Sequence, residues 1–239
     1  MRRVVRRLAA AAAALALAGT VAGCDLPAGG AAGPSGSAPG LSPAPAAASP
    51  PVAGTALLAL ATLHVRGRGA LTGYERKAFG PRWADVDRNG CDTRNDVLAR
   101  DLTGETFRRG GCVVLTGTLV DPYTGRRIGF TKAAAAAVQV DHVVALADAW
   151  QKGADRWPAE RRRAFANDPL NLLATAGPVN QAKGDSDAAS WLPPRRSYRC
   201  TYVARQVAIK TRYQLNVTAA EKAAIAAVLA RCPAEPLPR

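Results

Sequence analysis

Acidic residues are in short supply in this sequence. Eighteen Asp and Glu stand against 32 Lys and Arg, and the formal net charge is +14. That imbalance excludes a surface suited to cationic partners. It favours polyanions such as DNA, RNA, teichoic acids or anionic lipid. Cys-x-x-Cys spacing is absent, so a zinc site built from the cysteines has no support. The apolar run near the N-terminus, Leu8 to Ala18, is too short for a permanent bilayer-spanning helix. Histidine is rarer still: the chain has two, His64 and His142. It is the side chain that changes charge near neutrality without help, so it is the usual general base. Only His142 has a carboxylate beside it, Asp141.

The N-terminus reads as an export signal. Arg2, Arg3, Arg6 and Arg7 form a basic region, an Ala/Leu-rich stretch follows, and Val21-Ala22-Gly23-Cys24 ends it. Small residues and then a cysteine match a bacterial lipobox, with Cys24 lipidated as the new N-terminus once residues 1–23 are removed. Plain secretion with cleavage nearby is the alternative. The expected location is the outer face of a bacterial cell membrane, held there by acyl chains, or free secretion. Removing residues 1–23 takes away four arginines and no acids, which lowers the net charge from +14 to +10. Residues 24–54 are almost wholly Ala, Pro, Gly and Ser, the composition of a flexible tether. A single folded domain is expected at 55–232, with a short tail at 233–239, acting as a monomer.

Four further cysteines, Cys91, Cys112, Cys200 and Cys232, make an even count in an exported chain and argue for two disulfides. Of the three possible pairings, Cys91–Cys112 and Cys200–Cys232 each close a local loop and are expected.

The pattern of the domain is α+β. Ala56 to Val65 predicts a helix, with His64 packed or at its edge. Arg66-Gly67-Arg68-Gly69 is a basic loop, either solvated or in contact with phosphate. Asp85-Val86-Asp87-Arg88-Asn89-Gly90 follows the opening of a twelve-residue calcium loop whose twelfth position is Asp96. The same residues also suit an Asx-rich turn that caps a helix starting near Asp92. Cys112 to Val120, a turn at Asp121–Gly125 and Arg127 to Phe130 predict a β-hairpin. Val138 to Asp141 is a further strand, followed by helical spacing over Val144–Lys152. Pro158 to Ala166 predicts an Arg-rich helix with Pro at its first position. A turn and short strand follow at Asp168–Thr175, then a turn and short helix at Gly177–Asp185. Two closing helices are expected, the second with a Thr218/Glu221 capping box.

Three pieces carry chemistry. A strand ends in Asp141-His142, a second strand carries Asn171, and a helix carries Asn180 and Lys183. Phosphodiester hydrolysis needs an activated water and a cation on the phosphate oxygens. Asp141 and the Asn180 amide offer hard oxygen ligands. His142 can take a proton from water, and Asn171 can orient His142 or tie the loop down. Lys183, together with the Arg-rich helix, can bind phosphates.

Asp141-His142, Asn171-Leu172-Leu173 and Asn180-x-x-Lys183-Gly184 together resemble the HNH, or His-Me finger, endonucleases, in the variant whose last His is Asn. The wider run, from Gly73-Tyr74 through Asp92-Thr93-Arg94-Asn95 to Trp191-Leu192-Pro193-Pro194, is similar to exported HNH-family proteins. These are related to the HNH-like C-terminal domain of modification-dependent restriction enzymes. The resemblance implies a ββα-metal core, a β-hairpin and surrounding helices. It implies His142 as general base, with Asn171 in the catalytic set, and Asp141 and Asn180 on one divalent ion, Mg²⁺ before Mn²⁺. Lys183 and Arg94 are the expected phosphate contacts, and the expected substrate is nucleic acid, DNA before RNA. Asn180 departs from the founding pattern, because a neutral amide binds metal more weakly than His. Two other readings remain: a non-catalytic envelope lipoprotein binding calcium or an anionic polymer, and a nuclease fold kept only for binding.

Overall fold

The structure, a computed structural model, describes residues 54–239. The export signal, Cys24 and the tether up to residue 53 lie outside the described residues. Helix α1 (Ala56–Thr62) is followed by a 3₁₀ turn at Arg76–Phe79 and by α2 (Thr93–Asp101). Strands β1 (Leu102–Phe107), β2 (Val114–Val120) and β3 (Arg127–Thr131) then form an antiparallel sheet in that order. Next come β4 (Val138–His142), α3 (Leu146–Gln151), α4 (Ala159–Ala166), β5 (Leu172–Ala176) and α5 (Gly177–Lys183). Helices α6 (Arg199–Tyr213) and α7 (Ala219–Leu229) close the chain. Among the described residues no helix is long and apolar enough to cross a membrane.

β4 and β5 form a second antiparallel sheet, with Asp141 opposite Leu173 and His142 opposite Leu172. This sheet sits between two cores, which is why β5 is buried along its whole length. Alternate residues of a strand face opposite sides. Val138, Val140, Leu172 and Ala174 join Val97, Leu98, Val114 and Phe130 in one core, whereas Leu173 joins Tyr202, Val207 and Ile225 in the other. Gly177 opens α5 where a Cβ would lie 2.2 Å from the Ala136 carbonyl oxygen, so only glycine lets the helix start this close to the turn that leads into β4.

Asp92 caps α2, accepting from the Asn95 N–H at 2.9 Å. Asp121 is fully enclosed and gathers the Tyr123 and Thr124 N–H groups of its own turn, the Thr175 hydroxyl and the Ala176 N–H. Cys91–Cys112 and Cys200–Cys232 are the two disulfides, 21 and 32 residues apart. The last residues fold back: Ala56 N–H donates to Glu235 O and Leu237 N–H to Gly54 O, both at 3.0 Å.

Several sequence expectations are corrected. α1 stops at Thr62, because Val65 leaves the helix to bridge Val217, and His64 is exposed. β1 was not foreseen. Pro158 stands before α4 as its cap residue, not inside it. Thr218 accepts from the Glu221 N–H, but the Glu221 carboxylate does not return the bond; it turns inward to Lys152 and Lys210. The basic loop at Arg66–Gly69 is exposed, as the solvated reading expects, although the Arg68 guanidinium also pairs with Asp187 at 2.6 Å. Two of the three arginines of α4 are spent on packing, whereas Arg163 is exposed. Arg161 donates to Tyr213 O and lies over the Trp157 ring, and Arg162 donates to Ala78 O.

Candidate active site

β4 delivers His142 to a place where two groups hold its ring. Nε2 lies 2.8 Å from the carbonyl oxygen of Ala166, and the Trp83 indole stacks on the other flank at 6.1 Å and 11°. A carbonyl only accepts, so Nε2 carries the proton and Nδ1 keeps its lone pair. Burial drives the imidazolium pKa down to about 3. The Ala166 bond opposes this, while the nearby charges of Arg76 and Lys183 add to it. The ring is therefore neutral at neutral pH, the form a general base requires.

Trp83 keeps its position at some cost, with a left-handed φ of 55°. The next residue is pinned from both ends: Ala84 N–H donates to Asn167 Oδ1 at 3.1 Å, and Ala84 O accepts from the Thr93 hydroxyl. Asn167 follows Ala166, so both sides of the His142 clamp are tied to one corner of the chain.

Asp141 is buried beside it. Its Oδ1 accepts from Lys183 Nζ at 2.9 Å and its Oδ2 from the Tyr123 hydroxyl at 2.6 Å. Burial pushes the carboxyl above its ordinary value, against the pull of Lys183 and Tyr123. Lys183 also donates to His142 O at 2.8 Å and is 1% exposed. Its expected contact with substrate phosphate is thus corrected: the ammonium faces inward and holds the Asp141–His142 corner. Asn180 donates from Nδ2 to Gln139 Oε1 at 2.9 Å, which leaves its amide oxygen as the free end.

Asn171 is fully buried and does not touch His142. Its Oδ1 accepts from Val144 N–H at 2.9 Å, and its backbone oxygen accepts from Val143 N–H at 2.8 Å. It ties the chain after β4 to the chain before β5, the second of the two roles expected for it, and makes no hydrogen bond to the His142 ring. Arg94 donates to Val138 O and stands in a cavity beside His142.

Two adjoining cavities share His142, Asn180 and Arg76. One, about 170 Å³, adds Asp141, Asp185 and Tyr74. The other, about 590 Å³, adds Arg82, Trp83 and Arg94. Tyr123, Trp83, Arg76, Arg82 and Asp185 were not singled out from the sequence. Arg76 lies on the 3₁₀ turn and Trp83 in a loop, segments too short for any periodicity.

A hard divalent cation asks for oxygen ligands and keeps several waters. Asp141 has lone pairs beyond the two bonds it accepts, and the Asn180 amide oxygen is free, so this donor set fits such an ion. Lys183, 2.9 Å from Asp141, offsets the carboxylate charge and weakens the hold. Cys200, Cys232 and Glu235 also lie close together, but the two sulfurs are joined to each other and supply no thiolate.

Residues 92–228 match the family model of the GmrSD restriction endonucleases, C-terminal domain. A protein of Arthroderma benhamiae described as an uncharacterized secreted protein is 42% identical over 194 residues, covering 80% of this chain and 92% of its own. No solved structure matches the chain.

Proposed function

Since the chain belongs to the family of the GmrSD restriction endonuclease C-terminal domain, we propose that it is an exported, metal-dependent nuclease of the HNH type acting on DNA. One observation carries this reading. A neutral histidine stands between a cavity with two carboxylates, suited to a cation, and a cavity with three arginines and no carboxylate, suited to phosphate, with Asn180 and Arg76 at the border of both. In this reading β4, β5 and α5 are the strand, strand and helix of a ββα-metal core.

His142 Nδ1 takes the proton from the attacking water, while the Ala166 carbonyl keeps the ring oriented. Asp141 and the Asn180 oxygen would hold the ion, and Lys183 and Tyr123 keep Asp141 in place. A divalent ion there, Mg²⁺ or Mn²⁺, would supply positive charge to the phosphate oxygens. The secreted relative and the two disulfides support export. Lipidation at Cys24 remains part of the proposal, resting on its lipobox, as does the monomer. Purified mature protein is expected to nick supercoiled plasmid with Mg²⁺ or Mn²⁺, and EDTA is expected to stop it. Nicking that persists in EDTA, or none with either ion, sinks this reading.

The Asp85–Asp96 loop is proposed as a separate calcium site. Asp85 accepts from Gly90 N–H, and Asn89 Nδ2 donates to both Asp87 and Asp96. Asp85 Oδ1 is buried with no donor among the described residues. Burial pushes the Asp96 carboxyl up, and Asp87, Asp92 and Asp85 add to it by repulsion. A bound cation relieves both. Calcium at about 100 times its Kd is expected to add about 2.7 kcal/mol of stability. That gain should vanish in Asp87→Ala. A melting temperature unmoved by calcium leaves the loop as a turn and helix cap only.

A further inference from the structure

Three guanidinium groups share the larger cavity beside His142, and no carboxylate lines it. Three arginines elsewhere are paired with carboxylates: Arg68 with Asp187, Arg100 with Asp101 and Arg212 with Asp168. Arg76, Arg82 and Arg94 form no such pair among the described residues. Nη1 of Arg76 is buried and has no hydrogen-bond partner among them. An unpaired charged donor removed from water is costly, and more so beside like charges. Burial holds the Arg76 guanidinium below its ordinary value, and Arg82 lowers it further. Arg94 is fixed by one bond to Val138 O, with the rest of its fork free.

We propose that Arg76, Arg82 and Arg94 form a subsite for consecutive phosphates of a nucleic-acid strand, delivering the phosphodiester to His142. A planar guanidinium matches two phosphate oxygens at once, and a bound phosphate satisfies the orphaned Arg76 donor. Lys183 cannot serve in this role, because it is enclosed with Asp141. Arg76 and Arg82 lie before residues 92–228, so the family match does not reach them. The assignment of the anion to nucleic acid rests on the nuclease reading, whereas the charge arrangement stands without it.

The test is binding of a short fluorescein-labelled DNA oligonucleotide to the mature protein in EDTA, followed by anisotropy across a salt series. Arg82 is exposed, so Arg82→Gln leaves the fold intact. It is expected to raise Kd about tenfold at low salt and to reduce the slope of log Kd against log salt by about 1. Arg76→Gln and Arg94→Gln are expected to act in the same direction. Arg108→Gln removes the same charge from an exposed position outside the cavity and is expected to change Kd less than about threefold. Equal losses in Arg82→Gln and Arg108→Gln mean that binding follows net charge, which overturns the subsite. A protein that never cuts but keeps the Arg82/Arg108 difference retains the subsite and loses the hydrolysis reading. One that cuts while every arginine variant binds as wild type retains hydrolysis and loses the subsite.

Discussion

Replacing His142 with alanine is expected to lower DNA cleavage at least ~10²-fold while the protein stays folded. The ring is half-buried, not a core element, and its one hydrogen bond runs to the Ala166 carbonyl. Losing it leaves that acceptor without a donor, worth about 1 kcal/mol in a typical deletion. The melting temperature should therefore move by only a few degrees. Oligonucleotide binding in EDTA should match wild type, because the phosphate contacts lie with the arginines. Time courses of plasmid nicking in Mg²⁺, set beside thermal melts, separate chemistry from folding. Wild-type rates in His142→Ala would remove His142 from the mechanism. A collapsed melting temperature would make it a folding residue.

The second large effect lies away from the site. Lys152 is enclosed and contacts Asp148 at 2.6 Å, Glu221 at 2.7 Å and Asp187 at 2.9 Å. Lys210 closes the group from the other side, on Asp148 at 3.2 Å and Glu221 at 2.9 Å. Lys152→Met strips one cation from three buried carboxylates and is expected to cost about 3–5 kcal/mol, read by urea unfolding. A cost below about 1 kcal/mol would mean that water enters the network freely. The dependence on pH has a definite sign. Burial pushes Asp148 and Asp187 up, but Lys210 and Lys152 pull Asp148 lower still, and Lys152 does the same to Asp187. Their contribution is present above the ordinary carboxylate value of 3.8 and is lost as pH falls below it, through the depressed folded values. Lys210 is raised by Asp148 and Glu221, against burial. Its contribution is complete below 10.5 and is lost as pH climbs above that, through the raised folded value. This network's own contribution should be level between these limits, while the depressed His142 imidazolium separately costs stability as pH falls below 6.5, and Lys152→Met should soften the acid edge.

Part of this was legible in the sequence. A β-branched run ending in Asp141-His142 and the Gly177-Pro178 helix start are local signals that put Asp141, His142 and Asn180 at the joints of a strand–strand–helix layout, and the structure brings the three to one cavity. The two disulfides followed from loop closure, and the Asp92 cap from its position ahead of α2. Lys183 was read correctly as a helical neighbour of Asn180 but given the wrong surroundings. Spacing of three residues along a helix does not say whether a long side chain reaches solvent or turns beneath a strand. The buried charge network was hidden for a related reason: Asp148 and Lys152 look like an ordinary exposed i, i+4 pair until Glu221 and Lys210 arrive from distant helices. Tyr123 was concealed inside a turn signature, which explains backbone shape and says nothing of where the phenol goes. β1 follows α2 directly, Leu102 coming straight after Asp101, so no Gly or Pro marks the change.

Asp121 has a mechanical consequence. Its carboxylate clasps the β2–β3 turn and the end of β5 together, and two residues further on Tyr123 rests its hydroxyl on Asp141. The two sheets therefore cannot shear past one another without straining this clasp. A push on the hairpin turn is transmitted through a stiff aromatic strut to the carboxylate beside His142. The hairpin is a lever whose short arm ends at Asp141.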